Sequence, residues 1–258
     1  MAWKRSSKVP WYSEAAGFFG PEYLKEYASS LPEERTRKEV AFLRKNLKLR
    51  RGVKILDCPC GHGRHSVALA QYGYEVTGQD LNVFFLAEAR KAARRAGVKV
   101  RWVQGDMRQI PFESEFDVAL NLFTAFGYLE SDEEDQLALE QVARALKPGG
   151  RFVLDVMNHD WMVRNFLERS WQELSDGSVI LTERNFDHVS GRNLETRTRI
   201  SRTGKRETLD LPLRIYTAVE LARMFQLVGL RVLEMYGDYK GKPLTFDSNR
   251  CIILAQKI

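Results

Sequence analysis

Between about residue 53 and residue 156, short apolar runs alternate with stretches of helical periodicity. Strands buried on both faces read as unbroken apolar runs, and their alternation with helices marks a parallel sheet wound by right-handed crossovers. The pattern predicts strands over 53–57, 74–79, 99–104, 116–122 and 151–156. Helices over 64–72, 83–96 and 132–146 lie between them, and Lys147-Pro148-Gly149-Gly150 stops the last. An earlier helix over 32–49 carries Val40, Leu43 and Leu47 on one face. The aromatic-rich segment 11–27 before it reads equally as packing or as a lid.

After Asn158 the texture changes. Leu194, Thr196, Thr198 and Ile200 alternate with Glu195, Arg197 and Arg199, the pattern of a half-exposed antiparallel strand whose first set faces inward. Leu209 to Ile215 alternates likewise, and with 179–186 these segments predict an inserted antiparallel meander. A helix over 217–228 and strands over 231–236 and 251–256 close the chain. The expected organisation is an α/β fold with a mostly parallel seven-stranded sheet and helices on both faces. Its parts are an N-terminal helical and aromatic lid (1–50), a core (51–158), the insertion (171–213) and a return to the core (214–258).

The composition changes this picture little. Hydrophobic residues at 44% and charged residues at 29% suit a packed globular protein rather than a disordered chain. A formal charge of +6 permits anionic partners, but the densest basic run, residues 44–54, ends a helix, where cations offset the dipole. Cys58, Cys60 and Cys251 have neither zinc spacing nor a disulfide framework, so reduced thiols in the cytoplasm and no bound metal are expected. The basic start, Lys4, Arg5 and Lys8, is followed by no apolar signal core, and no stretch approaches the ~20 apolar residues of a membrane span.

Candidate chemistry gathers at one edge of the sheet. The first strand ends in Asp57 and turns through Gly61 and Gly63 into a helix, and open α/β sheets bind ligands at that carboxyl edge. The second strand ends in Asp80 and the third in Gly105-Asp106-Met107. A carboxylate at the second position suits the two hydroxyls of a ribose. Asp106 suits an adenine amino group, and Met107 offers a polarizable surface. Taken singly, Asp80 reads as a helix cap and Asp106 as a turn residue; three acids at one edge point to a site.

Leu56-Asp57-x-x-Cys60-Gly61-x-Gly63-Arg64, Gly78-x-Asp80-Leu81, Gly105-Asp106-Met107 and Arg144-x-Leu146-Lys147-Pro148-Gly149-Gly150 resemble the ordered motifs of class I methyltransferases that use S-adenosylmethionine (SAM). Phe126-Gly127-Tyr128, Arg214-x-Tyr216 and Tyr236-Gly237-Asp238-Tyr239 are similar to a bacterial and archaeal small-molecule group among them. The resemblance implies a Rossmann-like fold and SAM as cofactor, with Asp57, Gly61 and Gly63 at its methionine part, Asp80 at the ribose, Asp106 and Met107 at adenine, and Leu81 also among the cofactor-binding residues. It also implies that Asn121, Leu122 and Phe123, following the fourth strand, face the methyl group and the acceptor. Pro59 stands where the usual loop has its first glycine, which removes an amide donor there.

For the acceptor, a small molecule bearing a nitrogen, oxygen or carbon nucleophile is expected, with the insertion covering it or contacting a second copy in a homodimer. Nucleic acid is the alternative acceptor, though Asn121-Leu122-Phe123-Thr124 differs from the Asn-Pro-Pro-Tyr turn of amino-methylating nucleic-acid enzymes. A SAM-binding regulatory protein without catalysis and an NAD-dependent dehydrogenase are the other readings. Ser66 near the third fingerprint glycine counts against the dehydrogenase. Candidates for moving a proton or orienting the acceptor are His65, Tyr128 and Tyr216, with His159, Tyr12 and Tyr23 behind them, and Arg64 suits a carboxylate of the cofactor or the substrate.

Overall fold

The computed structural model describes residues 9–258 except Ser29, so the basic start lies outside the described residues. Helices α1 (Pro21–Tyr27) and α2 (Glu33–Asn46) precede β1 (Lys54–Asp57), α3 (Arg64–Gln71), β2 (Glu75–Asp80), α4 (Val83–Arg95), β3 (Arg101–Gln104) and β4 (Phe116–Asn121). Then come α5 (Asp132–Ala145), β5 (Leu146–Met157), α6 (His159–Arg164) and strands β6 (Arg169–Glu173), β7 (Val179–Asp187), β8 (Arg192–Ile200) and β9 (Arg206–Arg214). Helix α7 (Ala218–Leu227), β10 (Leu230–Tyr236) and β11 (Arg250–Lys257) complete the chain.

The central sheet has seven strands in the order β10-β11-β5-β4-β1-β2-β3, and β11 alone runs against its neighbours. Adjacent residues of each strand feed opposite layers, as the period of two requires. Ile55 packs with Val40, Leu43 and Leu69 under α2 and α3, whereas Leu56 packs with Leu139, Val142 and Phe225 under α5 and α7. This double burial is why the core strands were legible as apolar runs.

Lys147-Pro148-Gly149-Gly150 lies within β5 rather than in a loop, because the strand starts at Leu146 directly after α5 and pairs with Phe116. Helix α6 and strand β6 were not foreseen. Strand β6 is mostly exposed and lacks an apolar stripe, so its pairing with β7 is what makes it a strand.

The second sheet, β6-β7-β8-β9, is the expected antiparallel insertion with the opposite face turned inward. Glu195, Arg197 and Arg199 face α1, and their side chains keep 18%, 12% and 23% of their exposure. Thr196 and Thr198 face outward, hydrogen-bonded to Asp210 and Thr208 on β9. Buried charge is tolerated when paired. Here Arg197 meets Glu26 and Arg199 meets Glu22, both from α1.

Candidate active site

Three strand ends converge on one cavity of about 140 Å³, lined among others by Asp57, Gly61, Asp80, Leu81, Asp106, Met107 and Leu122. The Asp57 carboxylate accepts the Ser66 hydroxyl at 2.5 Å. Asp80 accepts the Gly61 amide at 2.7 Å and the Asn82 amide at 2.9 Å, which ties the glycine loop to the end of β2. Asn82, not Asp80, caps α4, accepting the Phe85 amide. Asp106 does shape its turn, accepting the Arg108 amide at 2.8 Å, while the Arg108 guanidinium spans its carboxylate.

Burial pushes the Asp80 carboxyl up to about 6, against the pull of its two amide donors. Asp57 is raised by the same cause. Burial also raises Asp106, but the hydrogen bonds and charge of Arg108 outweigh it and hold that carboxyl below its ordinary value.

Two residues expected at the cofactor do not line the cavity. Gly63 sits at φ +80°, and a Cβ there would lie 2.7 Å from both Ala89 Cβ and the Trp102 ring, so it serves the packing of the loop against α4 and β3. Asn121 is buried outside the cavity wall, its Oδ1 without a hydrogen-bond partner.

Aromatic rings from the segment before α2 wall the cavity. Tyr12, Phe19 and Tyr23 line it, and Phe19 stacks on Tyr128 at 5.7 Å. The Phe19 carbonyl accepts the Asn82 side chain at 2.7 Å. Tyr27 stacks on Tyr23 at 4.4 Å and meets Phe123 edge-on at 6.4 Å. No cavity-lining residue comes from 171–213; the insertion instead holds α1, by the Arg197–Glu26 and Arg199–Glu22 pairs.

No local sequence pattern marks Glu39. On α2 and 2% exposed, it accepts Arg35 Nε at 2.9 Å, the Arg64 guanidinium, and His65 Nε2 at 2.8 Å. Burial raises its carboxyl, but the hydrogen bond and charge of His65, with Arg64, outweigh this and hold it far below the ordinary range. The other Arg64 amino group, Nη2, is buried without a partner, and Arg64 lines the cavity. The Arg35 and Arg64 guanidiniums both lie over the Phe123 ring, 5.1 Å and 5.3 Å from its centroid. The Phe123 backbone and that of Thr124 take φ of +64° and +59°, a conformation costing about 1–2 kcal/mol per residue. Asp155 holds that turn, its carboxylate accepting the Phe123 amide at 3.0 Å and the Tyr239 hydroxyl at 2.7 Å.

Of the candidates for proton chemistry, His65 and Tyr128 line the cavity and Tyr216 does not. Tyr216 is instead buried at the start of α7, donating to Asp135 at 2.8 Å and Asp132 at 3.1 Å, which pins α7 to α5. His159 also lies away from the cavity wall, beside Asp160. Burial lowers His62 to about 4, leaving a neutral imidazole on the wall. Burial raises Tyr12 to about 12 and moves Tyr23 and Tyr128 the same way, so all three phenols stay protonated at neutral pH.

Comparison with known proteins decides what this edge belongs to. A family model described as a methyltransferase domain matches residues 55–150, the span that carries the three acids. The glycine/sarcosine N-methyltransferase of Halorhodospira halochloris is 28% identical over 231 residues, 87% of this chain and 83% of that protein. The chain is a class I SAM-dependent methyltransferase. A second relative of this methyltransferase is the dTDP-3-amino-3,4,6-trideoxy-alpha-D-glucopyranose N,N-dimethyltransferase of Streptomyces venezuelae, 26% identical over 74% of this chain and 80% of that protein. Among solved structures, the CcbJ methyltransferase from Streptomyces caelestis shares the fold with a TM-score of 0.76 at 22% identity, covering 91% of this chain and 96% of that one.

The cavity fits the methyltransferase's cofactor. A SAM molecule carries a carboxylate, two ribose hydroxyls and an adenine, and the wall offers the Arg64 side chain, whose guanidinium keeps one nitrogen without a partner, three acids and Met107.

Proposed function

We propose that this methyltransferase transfers the SAM methyl group to the amine of a small molecule in the cytoplasm. The observation that carries the proposal is the gathering of Asp57, Asp80, Asp106 and Arg64 on one cavity walled by the aromatic rings of the N-terminal segment. The two named relatives are both N-methyltransferases of small molecules, which supports nitrogen as the accepting atom. Three buried free cysteines suit a reducing compartment. Among the described residues no helix is long and apolar enough to cross a membrane. Nucleic acid is the weaker reading, since Arg44 in the basic run lies 3.7 Å over the Tyr72 ring and donates to Tyr74.

In this reading Asp80 holds the ribose, Asp106 and Met107 the adenine, and Gly61, Asp57 and Arg64 the methionine end. Bound SAM supplies a methyl group on a sulfonium, open to in-line attack. The chain aligns and shields. Attack forms the nitrogen–carbon bond as the sulfur–carbon bond breaks, its electron pair passing to sulfur, and the methylated nitrogen then sheds a proton to solvent. Alignment of two bound reactants supplies about 7–11 kcal/mol of the barrier reduction. The lid rings exclude water, and the protonated phenols of Tyr12, Tyr23 and Tyr128 orient the acceptor.

Calorimetry tests the cofactor half. SAM and S-adenosylhomocysteine (SAH) should bind and NAD should not; NAD binding alone would overturn the reading. Only the Asp80 carboxylate accepts both ribose hydroxyls, and its carboxyl titrates at about 6 in the unliganded protein. Affinity for SAH should therefore fall as pH drops through that value, to about tenfold weaker at roughly pH 5 than at roughly pH 7. Asp80→Asn should bind more weakly throughout and lose this dependence. A wild-type affinity flat across that window would remove Asp80 from the site.

A further inference from the structure

A second cavity, of about 320 Å³, lies between α1 and strands β6 to β8, and nothing in the cofactor reading uses it. Its wall is almost wholly polar, because the inward face of the insertion carries Thr182, Arg184, Glu195 and Arg197 where a structural sheet would carry apolar residues. The charges on this wall balance. Arg184 pairs with Glu195 at 2.7 Å and Arg197 with Glu26, two cations against two anions, so the cavity offers no net charge to a ligand. Among the described residues, the side chains of Thr182, buried at 6% exposure, and of Gln172, an exposed residue, make no hydrogen bond within the chain. A hydroxyl and an amide left in this way are ready to bind a polar guest. The cavity adjoins the cofactor site. Tyr27 lines it, stacks on Tyr23 and abuts Phe123, and both of the latter line the cofactor cavity, so the stacked Tyr27–Tyr23 pair, with Phe123 beside it, stands between the two.

We propose that this cavity is the acceptor subsite and that it receives an amine carried on an uncharged, polyhydroxylated framework such as an amino sugar. The inference rests on the methyltransferase reading above and names the substrate class of that site. A balanced set of donors and acceptors matches several hydroxyl groups, whereas a free carboxylate or a plain hydrocarbon amine would leave the paired charges or the polar wall unanswered. The framework lies under the sheet and its amine passes the Tyr23–Tyr27 layer at Phe123, so the lid shifts on binding. The insertion thereby has a direct part in the reaction in addition to clamping the lid.

Saturation-transfer NMR on the SAH-loaded protein tests this at mildly alkaline pH, with glucosamine, glycine and cyclohexylamine as probes. Glucosamine should receive saturation and the other two should not. In the double variant Thr182→Val with Gln172→Leu, glucosamine affinity should fall at least tenfold while SAH affinity stays within twofold of wild type. Equal binding of all three probes, no binding of glucosamine, or undiminished glucosamine binding to a variant that still binds SAH would overturn the subsite alone. Failure of the wild-type protein to bind SAH would overturn the reading beneath it as well.

Discussion

Replacing Glu39 by leucine should destabilise the folded protein by about 3–5 kcal/mol, the cost of breaking a buried ion pair from one side. The carboxylate is the shared acceptor of Arg35, Arg64 and His65. Without it the Arg64 guanidinium, already carrying one unpartnered amino group, would lose its bond to Glu39 as well. Urea denaturation should show the midpoint falling at an unchanged slope; a loss below about 1 kcal/mol would show that water enters and replaces the carboxylate. The pH dependence has a definite sign. A carboxyl held below its ordinary value stabilises the fold above that ordinary value, 4.5 here, and this contribution drains away as pH falls below it. Glu39→Gln should therefore be less stable at neutral pH and lose less on acidification than the wild type.

A comparably large loss should follow from Gly63→Ala. The added methyl must take φ +80°, costing about 1–2 kcal/mol, and it meets Ala89 Cβ and the Trp102 ring, where overpacking costs about 1–3 kcal/mol more. Gly61 provides the contrast. Its φ is also positive, at +53°, but a Cβ there would have no heavy atom within 4 Å. Gly61→Ala should keep the fold to within about 1–2 kcal/mol and act on SAH affinity instead, since position 61 lines the cavity. Thermal unfolding of the two variants, with and without SAH, separates these outcomes. Equal stability of the two would mean that the loop, α4 and β3 reorganise around an added methyl.

The two glycines show how far a motif can be read. Their spacing and the strand before them were visible, and both were assigned to the cofactor; the cavity meets Gly61, while Gly63 answers to Ala89 and Trp102, residues that no local pattern connects to it. The acids behave similarly. Asp57, Asp80 and Asp106 were found because each ends a strand, and strand ends in a parallel sheet share an edge. That Asp80 would also hold the Gly61 amide, and that Asp106 would be spanned by Arg108, depended on side-chain placement that spacing does not encode.

The sequence by itself determined the parallel core, its order of strands and helices and the chemical edge, because the signals involved are local: apolar runs buried on both faces, helical periodicity, and glycines in turns. The tertiary structure alone decided which face of β8 turns inward. The alternation of Leu194, Thr196 and Thr198 with Glu195 and Arg197 is compatible with either choice, and the apolar set looked like the buried one. The choice falls the other way because Glu22 and Glu26, some 170 positions earlier in the chain, pair with Arg199 and Arg197 and lift the cost of burying them. Glu39 was invisible for the same reason. Its partners Arg64 and His65 lie on another helix, and a buried carboxylate is recognisable only once the charges that compensate it have been brought around it.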